Sequence, residues 1–253
     1  MAALEPAQLL AVAEDAARQA GEKLSRAFGS EVVVNEAHHH DLKIQLDVET
    51  QQLLTKIILQ RFPDHAILGE EGGEGSSSGG YEWILDPLDG TVNFAYGIPH
   101  FCVSVACRYQ NAILAGVILD PMRRECFTAF KGGGARCNGR PIRVSSRSRL
   151  EEAIMALGFS KGPASINKCL ELYQFYGHRA RKLRAMGSAA LDMAYIASGR
   201  LDVYIEQGIK IWDIAAGMVI LEEAGGNIIL TPHPEPHHFH ICASNGLLEL
   251  VHQ

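Results

Sequence analysis

The sequence predicts a layered α/β protein, with helices and sheets stacked around a common core. Three observations carry this. The second half alternates strand-like and helical segments. The first half is two helices followed by a run of strands. The chain has 253 residues, 47% hydrophobic and 21% charged, which is enough for one sizeable core and ordinary for a folded globular protein. No internal repeat or clean linker divides it, so one domain over residues 1–253 is expected, with subregions of about 1–145 and 146–253.

Residues 6–28 read as an amphipathic helix, because Leu9, Leu10, Val12, Ala13, Ala16, Ala17, Ala20 and Leu24 share one broad face and Gly29 is a natural stop. Residues 32–34 read as a short strand or an extended turn. A second helix is expected over 47–61, with Val48, Leu53, Leu54, Ile57 and Ile58 inward and Pro63 ending it. Strands follow at 66–69 and 81–86, the second stopping at Pro87, with the glycine- and serine-rich stretch 72–80 between them as a mobile loop. Strands at 101–108 and 112–119 are joined by a tight Gln110-Asn111 turn, and 125–130 follows. The second half predicts strands at 154–157, 182–185, 201–205, 228–230 and 241–243. It predicts helices at 167–176, 188–198 and 212–224, the last two closed by Gly199 and Gly225-Gly226.

A formal charge of -6 argues against a protein that grips nucleic acid by neutralising phosphates. No apolar run approaches the length of a membrane span, and the early acidic residues Glu5, Glu14 and Asp15 argue against a targeting peptide. The six cysteines form no C-x-x-C pair and read as reduced, mostly buried thiols. A cytoplasmic protein with no nucleic-acid or membrane partner is expected.

The informative segment is Trp83-Ile-Leu-Asp-Pro-Leu-Asp-Gly-Thr-Val-Asn-Phe94. An apolar strand delivers Asp86 at its end, and Asp89 lies three residues on, in a turn that opens a helix at Gly90-Thr91. Two carboxylates so placed repel each other unless a cation sits between them, and oxygen ligands suit a hard ion such as magnesium. The Gly90 and Thr91 amides, at a helix N-terminus, would suit a phosphate. The alternative for this segment alone is a D-x-x-D turn with Asp89 as a helix cap. Glu70 and Glu71 stand at the end of another predicted strand, where the plainer reading is a solvated acidic turn. Asp213 stands at the start of a predicted helix, where the plainer reading is an N-cap. Strand ends and helix starts of α/β folds tend to converge on one crevice, and four carboxylates meeting there would need two or more divalent ions. The segment superficially resembles the D-x-D-G-T motif of haloacid-dehalogenase-type phosphatases. Position 87 is proline, however, so the nucleophilic aspartate is missing and the expected attack is by water rather than through a phospho-aspartate.

Taken together, this segment and Trp212-Asp-Ile-Ala-Ala-Gly-Met-Val-Ile-Leu-Glu-Glu-Ala-Gly-Gly226 resemble the two signature regions of the inositol monophosphatase family. Gly69-Glu-Glu71, Gly187-Ser-Ala-Ala-Leu-Asp192, Gly199-Arg-Leu-Asp202 and Ala243-Ser-Asn245 match the pieces between and after them, so the resemblance spans nearly the whole chain. It implies a layered α-β-α-β-α sandwich of the inositol monophosphatase and sugar phosphatase type, a homodimer, and magnesium-dependent hydrolysis of a small phosphorylated polyol or sugar by a metal-activated water. Two or three magnesium ions are implied. Glu70, Asp86 and the Leu88 carbonyl would hold the first, and Asp86, Asp89 and Asp213 the second. Glu70 would also help place a third. By the same resemblance Glu70 and Thr91 position the attacking water, and the Gly90 and Thr91 amides hold the phosphate. Asp89, Gly187, Ser188, Ala189 and Glu206 would hold the substrate alcohol. For Glu206 the plainer reading is an exposed strand-end residue.

The sequence departs from the family at Glu36, where a lysine is usual, and at Ile44, where a threonine is usual. Lys43, four residues before Asp47, is the candidate substitute, and Asp47 is either a water-orienting group or a helix cap. Two histidine tracts, His38-His39-His40 and the one spanning His233, His237, His238 and His240, read as solvated loops rather than as zinc or nickel sites. Myo-inositol monophosphate is the leading substrate. Fructose 1,6-bisphosphate, histidinol phosphate and a 3′-nucleotide or NADP are alternatives on the same core, and a non-catalytic binding protein is the alternative from another class.

Overall fold

The computed structural model describes residues 4–38, 41–75, 80–159 and 162–250, apart from the side chains of residues 36–38, 41 and 164. In chain order the elements begin α1 (Pro6–Ala27), β1 (Val34–His38), β2 (Asp41–Ile44), α2 (Gln45–Arg61), β3 (Ala66–Gly69), β4 (Gly72–Glu74), β5 (Tyr81–Asp89) and α3 (Thr91–Ala95). Then come β6 (Cys102–Tyr109), β7 (Ala112–Asp120), β8 (Glu125–Phe130), β9 (Ala135–Cys137), β10 (Arg140–Pro141), β11 (Ile154–Leu157) and α4 (Pro163–Gly177). The chain closes with β12 (Lys182–Arg184), α5 (Ala189–Ala197), β13 (Val203–Lys210), α6 (Ile211–Glu223), β14 (Asn227–Pro232) and β15 (His238–Ser244). Eight strands form one sheet in the order β10-β9-β8-β7-β6-β5-β3-β4, five form a second in the order β12-β11-β13-β15-β14, and β1 pairs with β2 apart from both.

The helices and sheets stack as α-β-α-β-α, as expected. Helices α1 and α2 cover one face of the large sheet, α5 and α6 lie between its other face and the small sheet, and α4 covers the small sheet from outside. Alternation along the central strands explains why both faces of the large sheet are buried. Trp83, Leu85, Val103, Val105 and Val117 face the outer core under α1 and α2. Ile84, Ala106 and Ile118 face the middle core that holds α5 and α6. Every residue of α5 is buried, which is the pattern of a helix packed between two sheets rather than on a surface.

Three expectations need correction. Strand β5 does not stop before Pro87 but runs on to Asp89. Asp86 pairs with Ser104 and Asp89 with Cys102, so the strand bulges there and Pro87 sits where the ladder asks for no N–H. The glycine-rich stretch is not all loop. Gly72–Glu74 pairs antiparallel with β3, because the Gln51 side chain of α2 accepts from Glu71 N at 2.9 Å and donates to Gly72 O at 2.9 Å, fixing the turn. Residues 76–79 of that predicted loop lie outside the described residues. The second histidine tract is not a loop either. It forms the β14–β15 hairpin, with His238 and His240 in β15, Pro232 at the end of β14, and the turn residue His237 in the left-handed region at φ 63. Pro234 and Pro236 fall in the turn, outside the ladder, and Pro232 falls at its last rung. His39 and His40 of the first tract lie outside the described residues, as do the side chains of Glu36 and His38.

Candidate active site

The bulge of β5 sets the site. Leu88 N donates to Asp86 Oδ1 at 3.0 Å, holding Asp86 at the sheet end with 1% exposure. Gly90 then turns the chain at φ 98 and caps α3. A Cβ there would stand 3.0 Å from His100 O and 3.2 Å from Gly187 O, so only glycine allows this turn beside the Gly187 segment. Thr91 Oγ1 donates to Leu88 O at 2.9 Å. Asn93 Nδ2 donates to His100 O at 2.8 Å and Met186 O at 2.9 Å, stitching α3 to the segment between β12 and α5.

Asp89 does not cap its own helix. Its Oδ2 accepts from Ser188 Oγ at 2.6 Å and Ala190 N at 2.7 Å, so it caps α5, a hundred residues on. Asp213 lies in the first turn of α6 and accepts from Lys210 N at 3.1 Å, which satisfies one of the orphan N–H groups of that helix start. Glu70 follows β3, its N–H donating to Leu85 O at 3.3 Å, and its Oε1 lies 3.2 Å from Lys210 Nζ. Glu71 pairs with Lys43 at 3.7 Å. Asp47, at the start of α2, accepts from Ile44 N at 3.2 Å.

Glu70, Asp86, Leu88, Asp89, Gly90, Thr91, Gly187, Ser188, Ala189, Glu206 and Asp213 all line one open cavity of about 830 Å³. Every residue that the family resemblance assigns to the metals, the phosphate and the substrate therefore reaches it, whereas the further candidates Asp47 and Lys43 are not among its walls. Burial pushes the Asp86 carboxyl well above its usual range, with Glu70, Asp89 and Asp213 adding to the shift. Burial does the same for Asp213, helped by Glu70 and Asp89 and opposed by Lys210. Asp89 is pushed up to about 6 by burial, against the pull of its bonds from Ser188 and Ala190.

An all-oxygen set of mutually repelling carboxylates is the donor chemistry of a hard divalent cation, and this set fits magnesium. Among the described residues no three acidic, imidazole or thiol side chains are already drawn around one point. The Lys210 ammonium beside Glu70, also 5.1 Å from the Trp212 ring centre, offsets part of the negative charge.

Sequence reasoning missed Lys210 and Tyr204. Lys210 stands three residues before Asp213, so both meet at the α6 start. Tyr204 stands two residues before Glu206, on the same side of β13, and its hydroxyl donates to Glu206 Oε2. Both spacings were open to a reader of the sequence. Glu206 is also pressed onto Gly158, where a Cβ would fall 1.7 Å from Glu206 Oε2.

Comparison with known proteins places this fold and its acidic cavity among the phosphoric monoester hydrolases. The sequence model of the inositol monophosphatase family matches residues 5–249, and the chain belongs to that family. It is 41% identical over 249 residues to Nus factor SuhB of Pseudomonas aeruginosa, covering 94% of this chain and 91% of that one. It is 40% identical over 223 residues to inositol-1-monophosphatase of Rhizobium meliloti, covering 86% and 84%. The solved inositol monophosphatase of Anabaena superposes with a TM-score of 0.83 at 36% identity, covering 95% of this chain and 91% of that one. The sequence-based expectation of the family and of its layered fold holds.

Proposed function

We propose that the protein is a magnesium-dependent phosphatase of small phosphorylated polyols, with myo-inositol monophosphate as its leading substrate. The observation that supports this most is the convergence of Glu70, Asp86, Asp89 and Asp213 on one cavity that also presents Glu206. In this reading Glu70, Asp86, Asp89, Asp213 and the Leu88 carbonyl hold two or three ions. Magnesium so held supplies positive charge to the phosphate and makes a water more acidic. Because the Thr91 hydroxyl proton is committed to Leu88 O, the Thr91 oxygen is left to accept from the attacking water, and Glu70 accepts the other proton. Gly90 and Thr91 amides orient the phosphate. Asp89, fixed by Ser188 and Ala190, and Glu206, fixed by Tyr204, accept from the substrate hydroxyls beside Gly187 and Ala189.

The name Nus factor marks some relatives with a role that the cavity does not explain, and hydrolysis is the activity its chemistry supports. A cytoplasmic homodimer is part of the same reading, and sedimentation at micromolar concentration checks the dimer. The function is tested by phosphate release with and without magnesium from inositol 1-phosphate, fructose 1,6-bisphosphate, histidinol phosphate, NADP and adenosine 3′,5′-bisphosphate. Magnesium-dependent turnover that favours inositol 1-phosphate is expected. A preference for another ester reassigns the substrate, and no turnover by folded protein overturns the reading.

A further inference from the structure

Asp192 has no role in the scheme above, yet it is the polar group of the cavity that the protein does least to satisfy. It lies in the first turn of α5, held by its backbone N–H to Ser188 O at 3.0 Å. The residue is 3% exposed and forms part of the wall of the same cavity; neither carboxyl oxygen has a hydrogen-bond partner, and because Oδ1 is shut off from solvent, Oδ2 is the oxygen that can meet a ligand. The contrast with its acidic neighbours is specific. Asp89 Oδ2 takes two donors from Ser188 and Ala190, and Glu206 Oε2 takes the Tyr204 hydroxyl. A buried carboxyl without a donor costs stability, and a fold that retains one normally has a ligand or water to complete it.

Three acidic side chains, Asp89, Asp192 and Glu206, thus line the same cavity, close enough for the charges of Asp89 and Glu206 to act on Asp192. Burial holds the Asp192 carboxyl well above its usual range, and the charges of Asp89 and Glu206 add to the shift. A lysine or arginine from a substrate is one way to satisfy such a wall. A polyol is the other, and it fits better here because a hydroxyl both donates and accepts. It completes a carboxylate by donating to it, and a carboxylic acid by accepting from it.

We infer that Asp192 is a specificity-determining residue that binds a hydroxyl of the substrate's polyol, next to the hydroxyls held by Asp89 and Glu206. This rests on the phosphatase reading and names what the cavity selects beyond the phosphate: an alcohol with several adjacent hydroxyls. The assignment also explains why a partnerless acid is kept in the first turn of a fully buried helix, since sites built for ligands retain groups that lower stability.

The test compares kcat and KM of wild type, Asp192→Ala and Asp192→Asn on two esters with magnesium present. One is inositol 1-phosphate, and the other is phenyl phosphate, which offers no hydroxyl. Asp192→Ala is expected to lower kcat/KM for inositol 1-phosphate by about ten- to hundredfold, mostly through KM. The loss on phenyl phosphate should be smaller by about tenfold or more. Asp192→Asn, which keeps one acceptor, should fall between the wild type and the alanine variant. Thermal midpoints of both variants should equal or exceed that of wild type, because a purely structural residue would lower them. An equal loss on both esters, a lowered midpoint, or no loss on either ester overturns the role of Asp192 while leaving the phosphatase reading intact. A wild type that hydrolyses neither ester overturns the phosphatase reading and this assignment with it.

Discussion

Asp86, Asp89 and Asp213 sit buried where neighbouring carboxylates oppose their charge, and that makes the effect of removing one predictable. Asp213→Asn keeps shape and the bond from Lys210 N but removes a negative charge from beside Glu70 and Asp89. Activity should fall by at least about a hundredfold while the thermal midpoint holds or rises. Wild-type hydrolysis by this variant would show that Asp213 holds no essential ion. The same electrostatics gives a pH signature in metal-free protein. Asp89, pushed up to about 6, and Asp86 and Asp213, pushed well above their usual range, bind protons more tightly folded than unfolded. Their contribution to stability is therefore fully present below the unfolded carboxylate range and is lost as pH rises through their folded values, which for Asp89 is about 6. Scans after chelation should show a midpoint a few degrees higher at pH 5.5 than at pH 8, with magnesium restoring most of the difference at pH 8. Ion pairs such as Lys23–Glu49 act in the opposite direction but at more acidic pH, since they lower the glutamate below its ordinary value.

At the scale of elements, the site depends on how closely α6 rides the large sheet. Gly116 in β7 has no room for a Cβ, which would stand 2.8 Å from Ala216 O and 2.9 Å from Ala216 Cα, both backbone atoms of α6. Gly116→Ala should push that helix away and cost about 1–3 kcal/mol in urea denaturation. Because α6 carries Asp213, activity should fall further than the lost stability accounts for. Element identity was legible where periodicity was long, as in α1, β6 and β7. It failed where a partner elsewhere decided the matter. Nothing local to Gly72-Gly73-Glu74 announces a strand, because what makes it one is Gln51 on α2 and the free edge of β3. Pro87 looked like a strand end because the bulge that tolerates it is a property of the pairing with β6.

The whole molecule turns from its large sheet to its small one through the segment after β10, and one buried acid anchors that passage. Asp202, fully buried, accepts from Arg147 Nε at 2.8 and 2.9 Å, from Ile154 N at 2.8 Å and from Ser145 Oγ. Arg147 continues to Gly199 O at 2.7 Å, and Asn245 Nδ2 reaches Arg147 O at 2.8 Å, so the crossover, α5, β11 and the end of β15 share one network. Asp202→Ala leaves Arg147 with a lost partner in a half-buried position and should cost about 3–5 kcal/mol, read as a lower urea midpoint with unchanged slope. Activity per folded molecule should change little, since Asp202 is not in the cavity wall.

The sequence by itself determined the family, the layered class and the acidic positions of the site. Those depend on local facts: a strand that ends in an acid, a glycine that must turn, a helix that begins on Trp212-Asp213. The tertiary structure alone decided which of those groups are already satisfied. Hydrogen-bond partners come from far along the chain, as Asp89 finds Ser188 and Ala190 on α5 while Asp192 on that same helix finds no partner for Oδ1. Burial, like pairing, is set by what packs around a residue rather than by its neighbours in sequence. Hence the sequence could place acids at strand ends and helix starts, and only the fold could distinguish a carboxylate whose hydrogen bonds the protein completes from one whose bonds it leaves unmade.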